Sequence, residues 1–436
     1  MPSPPLAWEA ASQTGARRGR PGAFAAASYT LLVLIIGTNL PSPLYGIYAV
    51  RFGFSALTVT LIVAVYAAVI VPSLLLAGPL ADVAGYRQVV LPALVLAVAG
   101  TLLFAFAKGT GWLFAARVAQ GLSVGAATPA LTAALLATTP PDRQRRGTLL
   151  ASTMTTGGSG LGPLLAGALA AYAPLPLRLP YLVETAFLGI ALLAATLLPG
   201  RQPMGGQLPG RQQPAAGQQA RGWRPTVPRV PRGARRLFAV AAAVSFLAWG
   251  VAYIVLALAP AYVSARLHAH STLTGGATAG LLLLCAAAIQ FILARWPARR
   301  AETLGLAALA AGLAGLVAAG RLGSVGLLLA SVCVAGVGQG LAFMGATRQV
   351  GQAAPPDQRA GVAAAFWIAS YLGGGLPVTG VGLLAIRVGL VTAVNTFAIA
   401  LAVVCLLALV AVRAARPSAD TPAGGAAAQP DDARAG

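Results

Sequence analysis

The chain has 436 residues, 58 % of them apolar and only 9 % charged, whereas a soluble globular domain carries roughly 25 % charged residues. That composition excludes an ordinary soluble enzyme. The net charge of +21, from 30 Lys+Arg against 9 Asp+Glu, would suggest a nucleic-acid partner in a soluble protein; here the basic residues lie mostly between apolar runs, where they act as topology signals, and no nucleic-acid binding is expected.

Residues 1–22 form a polar tail with Arg17, Arg18 and Arg20 just ahead of the first apolar stretch. That stretch outlasts a signal-peptide core and many more follow, so a cleavable signal is not expected. Apolar runs then recur in the first half at about 23–48, 55–78, 88–107, 111–137, 147–172 and 179–199. In the second half they lie at about 237–263, 272–294, 302–320, 323–347, 361–386 and 389–412. Each is read as a helix crossing the membrane, because ~20 apolar residues span the hydrocarbon core and a lone strand would leave its backbone unsatisfied there. The spacing predicts an all-α integral membrane protein of twelve spans. Residues 1–22 are the N-terminal tail, 23–199 a first six-helix bundle, and 237–413 a second. Between the bundles, 200–236 is rich in Gly, Gln, Pro and Arg without a periodic apolar face and reads as a cytoplasmic linker. Residues 414–436 read as a disordered cytoplasmic tail.

With the N-terminus inside, 23 basic residues fall in inner segments and 6 in outer ones, leaving Arg117 within a span. The positive-inside rule therefore predicts both termini in the cytoplasm. Lys108 is the single lysine; the arginine bias points to GC-rich bacterial coding and so to a bacterial plasma membrane. Cys285, Cys333 and Cys405 sit far apart in apolar runs and read as packed thiols. His268 and His270 have no acidic or cysteine neighbour for a metal site, and Lys108 lacks the glycine of a phosphate-binding loop. Neither metal, cofactor nor ATP is expected.

The halves echo each other. Gln120-Gly121-Leu122 with Ala127-Thr128 answers Gln339-Gly340-Leu341 with Ala346-Thr347; Pro140-Pro141-Asp142 answers Pro355-Pro356-Asp357. Gly147 precedes Pro163 by the same interval as Gly361 precedes Pro377. Parallel six-span repeats with a site between them are a design of secondary transporters.

Between spans 2 and 3 stands Gly78-Pro-Leu-Ala-Asp82-Val-Ala-Gly85-Tyr-Arg87. Span 4 carries Leu113-x-x-x-Arg117-x-x-Gln120-Gly121, and span 5 carries Gly158-x-x-x-Gly162-Pro163-x-x-Ala166-Gly167. Together these resemble the major facilitator superfamily over nearly the whole chain, and the span-5 motif resembles that of its antiporter-type drug exporters. The resemblance implies that Gly78, Asp82, Gly85 and Arg87 form a cytoplasmic latch, with Asp82 approaching the start of span 11. It also implies that Gly158, Gly162, Pro163 and Gly167 gate the carrier through span 5, glycines allowing close approach and the proline bending the helix. Val83 and Tyr86 stand where the family is usually basic. Span 1, with Asn39-Leu-Pro41-Ser-Pro43-Leu-Tyr45-Gly-Ile-Tyr48, resembles the first helix of efflux members, many of which carry an acidic residue there; this chain has none.

The expected function is a secondary carrier, a proton-coupled exporter of amphipathic organic compounds working by alternating access as a monomer. The alternative is an importer of a small metabolite, and a membrane enzyme or receptor is remote because no reactive cluster is present. Central residues are expected to be Asn39, Tyr45, Arg117, Gln120, Gln339, Trp367 and Tyr371, with Tyr29, Thr155, Trp249, Tyr253, Gln290 and Phe343 around the same cavity. A charge inside a span is costly enough to be functional by default. At 1.5 Å per residue, Arg117 and Glu184 fall at similar depth. Glu184 is the one acidic residue read as well inside a span, so the two are expected to pair and could serve as a proton switch; the alternative is that Glu184, on a peripheral span, is an outer-rim residue unrelated to the cavity.

Overall fold

The computed structural model describes residues 21–140, 143–198, 228–267, 272–353 and 358–414. The expectations for the tails, for most of the linker, for His268 and His270, and for Pro141-Asp142 and Pro355–Asp357 lie outside the described residues. So does the side chain of Asp82.

Among the described residues all regular structure is helical. Span 1 consists of the helices Pro21–Asn39 and Tyr45–Phe52, joined by a short 3₁₀ turn at Ser42–Leu44. Pro41 and Pro43 lack amide hydrogens and obstruct the preceding turn, so the helix breaks where the sequence read one continuous run. Spans 2 to 6 are Ala56–Ala84, Tyr86–Ala105, Thr110–Thr138, Gln144–Tyr172 and Leu179–Ala195; spans 7 to 12 are Arg235–Leu267, Thr272–Ile292, Ala298–Leu322, Val325–Ala353, Arg359–Val388 and Leu390–Ala414. Ten of these twelve are both long and apolar enough to cross a membrane by composition. Span 5 is diluted by its Gly and Thr content, and the helix of span 6 has 17 residues rather than the expected twenty or more.

Six-helix packing repeats in the two halves. In the first half span 4 packs on 1, 2 and 3, span 1 on 5 and 6, and span 3 on 6; the second half repeats this set with 10 on 7, 8 and 9, 7 on 11 and 12, and 9 on 12. The halves meet through span 5 against span 8 and span 2 against span 11, two contacts that exchange under the same pseudo-twofold axis.

The apolar core is unequal along that axis. One large cluster joins residues from the whole second half to Leu40, Tyr45, Tyr48, Val59, Ile62, Phe104, Leu113, Ala166 and Tyr181. All of these first-half members lie toward the side away from the N-terminus. On the N-terminal side the first half has its own cluster, with Ala26, Leu31, Tyr66, Ile70, Val90, Leu131, Ala151 and Leu188. The halves thus share their large apolar core toward the far side, while on the N-terminal side Tyr371 of span 11 packs on the first-half cluster.

Candidate functional site

Span 4 carries Arg117 and Gln120 one turn apart, hence on one face. That face turns toward span 1, and both residues are buried, Arg117 at 2 % exposure. The break at Asn39–Tyr45 supplies what a charge inside lipid needs. Arg117 Nε donates to Tyr45 Oη at 2.7 Å, and Nη1 donates to the Thr38 carbonyl at 2.6 Å and to Gln120 Oε1 at 3.0 Å. Gln120 Nε2 in turn donates to the Gly37 carbonyl at 3.3 Å. The guanidinium lies 5.2 Å from the centroid of Tyr66, 5.6 Å from Tyr45 and 5.7 Å from Phe104. Three aromatic faces and three acceptors replace the water that Arg117 lost, each ring contributing about 0.5–2 kcal/mol.

Glu184 is not the ion-pair partner that depth arithmetic predicted. Every hydrogen bond of Arg117 goes to span 1 or to Gln120, and Glu184 stands behind Gly37, within electrostatic range of the guanidinium. It is nevertheless no rim residue, being buried at 2 % exposure, with Oε2 making no hydrogen bond. Asn39 also turns elsewhere, its Nδ2 donating to the Ser159 carbonyl of span 5 at 3.4 Å.

The second half answers with aromatics rather than charge. Trp249 and Tyr253 of span 7, Phe343 of span 10, and Phe366, Trp367 and Tyr371 of span 11 form an unbroken chain of ring contacts at 5.5 to 6.4 Å between centroids. The Trp249 indole N–H is buried without an acceptor. Tyr371 packs against the first-half core that contains Tyr66, so the aromatic cluster and the Arg117 cluster face each other across the pseudo-dyad. Gln339, the counterpart of Gln120, is fully buried with both amide atoms unpartnered. The residue in the place of Arg117 there is Gly336, whose added Cβ would lie 2.2 Å from the Leu282 carbonyl oxygen; the repeat kept the amide and lost the charge.

Span 5 presents two glycine faces. Gly158 and Gly162 meet span 1 within the half, a Cβ at Gly162 falling 2.1 Å from the Ile36 carbonyl oxygen. Gly160 and Gly167 meet Gly280 and Gly276 of span 8 across the interface, with Pro163 contributing its carbonyl oxygen 2.5 Å from a Cβ at Gly276. Below these, Ser152 Oγ donates to Gln290 Oε1 at 3.1 Å between the halves. On the other interface a Cβ at Gly382 would lie 2.1 Å from Thr60 Oγ1.

At the turn between spans 2 and 3, Gly85 has φ +99°, a conformation that favours glycine, and Arg87 is exposed. Gly78 and Asp82 lie in the last turns of the span 2 helix. The counterpart end of the second half holds a residue the sequence reading missed, Glu302 of span 9. It is fully buried and accepts from Gln349 Nε2 of span 10, leaving Oε1 unpartnered. Beside it Arg348 donates to the carbonyls of Trp296 and Ala294, and Arg299 to those of Val412 and Arg413. The thiols of Cys285 and Cys333, expected to be far apart, come within hydrogen-bonding reach between spans 8 and 10.

A sequence model of the Major Facilitator Superfamily matches residues 27–378, spanning both clusters and the interface of spans 5 and 8. The chain belongs to the Major Facilitator Superfamily. Sequence comparison with curated proteins gives no significant match. Among solved structures, one similar to this member is a bacterial homolog of the human lysosomal transporter Spinster, in an inward-facing and occupied conformation. It has a TM-score of 0.66 and 15 % identity, covering 91 % of this chain and 96 % of that one. A POT family transporter in complex with 5-aminolevulinic acid gives a TM-score of 0.66 and 14 % identity, covering 90 % and 96 %. The nucleoside transporter NupG gives 0.65 and 14 %, covering 90 % and 99 %. These likenesses establish the fold. The superfamily assignment makes this a multi-pass membrane transporter for a small molecule and not an enzyme.

Proposed function

We propose that this transporter is a proton-coupled exporter of amphipathic organic compounds, embedded in a bacterial plasma membrane with both termini cytoplasmic and acting as a monomer. The observation that carries the direction is span 5. Its Gly158, Gly162, Pro163 and Gly167, the pattern that resembles antiporter-type exporters, are the residues that fit this helix against span 1 and, through Pro163 and Gly167, against span 8 of the other half. The substrate lies between the first-half polar cluster of Arg117, Gln120, Tyr45 and Asn39 and the second-half face of Trp367, Tyr371 and Gln339. Six rings with few polar groups suit bulky, weakly polar molecules. Glu184 serves coupling rather than substrate contact. Gly78, Asp82, Gly85 and Arg87 close the cytoplasmic side when it seals. A large core shared by the halves on the side away from the N-terminus supports a conformation sealed outside, with alternating access exchanging that seal for the cytoplasmic one.

Counterflow in proteoliposomes against dyes, antibiotics and sugars, with and without a pH gradient, tests this. Exchange of dyes such as ethidium, driven uphill by the gradient, is the expected result. Exchange of sugars alone, indifferent to dyes, would make the carrier an importer of a small metabolite.

A further inference from the structure

We propose that the proton travels on Glu184 and that Gly37 is glycine in order to admit that carboxyl group into span 1. The inference rests on the proton-coupled reading and assigns it a residue.

Glu184 reaches from span 6 into the wall of span 1. A Cβ built on Gly37 would lie 1.6 Å from Glu184 Oε1 and 2.7 Å from its carboxyl carbon, so the carboxyl group occupies the volume of a side chain at position 37. A carboxyl group from a helix at the bundle's edge is thereby delivered to the helix that holds Arg117. Glu184 faces a cavity about the size of one water molecule, where Thr38, Thr101, Gln120 and Ser123 stand among the apolar Leu34, Ala97 and Val124.

Three of the four polar side chains around it are already committed. Thr38 Oγ1 donates to the Ile35 carbonyl, Thr101 Oγ1 to that of Ala97, and Gln120 Nε2 to that of Gly37; Ser123 Oγ has no partner. An ionised carboxylate with its Oε2 unsatisfied in a buried site carries a desolvation cost that a proton removes. The charge facing it is Arg117 of span 4. Phenols stand on three neighbouring elements: Tyr45 of span 1 and Tyr66 of span 2 lie against the guanidinium, Tyr181 of span 6 is within its electrostatic range, and Tyr29 of span 1 donates to the Phe187 carbonyl of span 6. Span 3 contributes Ala97 and Thr101, which do not titrate.

The coupling route is short. Gln120 bonds Arg117 with its carbonyl oxygen and Gly37 with its amide, and Gly37 is the residue against which Glu184 rests. An ionised Glu184 draws the guanidinium toward spans 1 and 6. Once Oε2 takes a proton from water on one side, that attraction ends and Arg117 is held only by Tyr45, Thr38 and Gln120; release of the proton to water on the other side restores it. The protonation state thus sets how firmly span 4 is tied to the broken segment of span 1.

Two measurements decide the matter. In nanodiscs, pH-difference infrared spectroscopy of the full chain should show protonated-carboxyl bands, one lost in Glu184→Gln and another in Glu302→Gln. A spectrum unchanged by Glu184→Gln means that Glu184 carries no titrating proton, and the proposal falls. In proteoliposomes with ethidium as the probe, Glu184→Gln should cut gradient-driven accumulation about 5–150-fold, the range of a typical coupling energy, while gradient-free exchange falls far less. Moving the carboxyl group in the double variant Gly37→Asp/Glu184→Ala should recover gradient-driven accumulation. If that double variant exchanges ethidium but still cannot use the gradient, position 37 is not equivalent to Glu184 and the proposal is overturned. If the wild-type chain does not move ethidium at all, the exporter reading fails, while the infrared result still decides Glu184.

Discussion

Gly160 and Gly280 meet backbone to backbone: a Cβ on Gly160 would lie 2.7 Å from the carbonyl oxygen of Gly280, and a Cβ on Gly280 2.6 Å from that of Gly160. The contact joins spans 5 and 8 across the two halves and is continued outward by Gly167 and Gly276. If alternating access operates by rocking one bundle against the other, this is a surface that must part. Gly280→Leu should oppose it, since overpacking costs about 1–3 kcal/mol, a shift of roughly 5–150-fold in a two-state equilibrium. Spin labels at Ser55 and Arg387, exposed at the outer ends of spans 2 and 11, would report it as a gain of longer distances. Distances unchanged from wild type would show that the contact does not gate.

Gly162 is expected to behave differently because it packs inside one half. A side chain there meets the Ile36 carbonyl oxygen and the Leu40 amide, next to the break that holds Arg117. Gly162→Leu should lower the unfolding temperature in detergent, at a cost of about 1–3 kcal/mol, and abolish efflux or leave the carrier leaky. Intact efflux with unchanged stability would make the motif match at this position fortuitous.

Arg117 should not tolerate lysine. An ammonium cannot reach Tyr45, Thr38 and Gln120 together or lie flat among three rings. Tyr45→Phe removes a bond to a charged donor, worth about 1.5–3 kcal/mol. A double-mutant cycle of Arg117→Lys with Tyr45→Phe, read by thermal unfolding, should give a coupling of at least about 0.5 kcal/mol. Additive effects would mean that the 2.7 Å bond contributes nothing to stability.

Asp82→Asn should impair transport while leaving expression near normal, because a carboxylate at the end of a span contributes little to membrane insertion. Wild-type kinetics in the variant would reduce Asp82 to a solvated turn residue.

Helix number, the internal repeat, the tight turn at Gly85 and the pairing of Arg117 with Gln120 were all legible in the sequence, because each follows from apolar run length, self-similarity or helical spacing. What was not legible concerns direction around a helix axis. Depth arithmetic set Arg117 and Glu184 at one level, but only packing decides that Gly37 and Gln120 stand between them. The glycine template in span 5 picked out Gly158 and Gly162 and passed over Gly160, which points to the other half. Glu302 was read as the border of an apolar run; Pro297 starts the helix earlier, which puts the carboxyl group one turn inside. Cys285 and Cys333 are distant in the chain and adjacent in space because spans 8 and 10 pack together. Tyr66 offered no signal at all, since an aromatic within an apolar span resembles any other core residue.

The brevity of span 6 has a consequence for the lipid. Seventeen α-helical residues cover about 25 Å at 1.5 Å each, short of an average hydrocarbon core of about 30 Å, and the rest is spanned by turns that bond Thr196, Leu197 and Leu198 back three residues. The end of span 6 nearer the linker is thus a tighter segment with poorer hydrogen-bond geometry than an α-helix. A change in bilayer thickness costs fractions of a kcal/mol per ångström of mismatch, and these turns can lengthen or shorten the span to absorb it. Acyl-chain length becomes a control on this carrier, acting where span 6 passes into the linker.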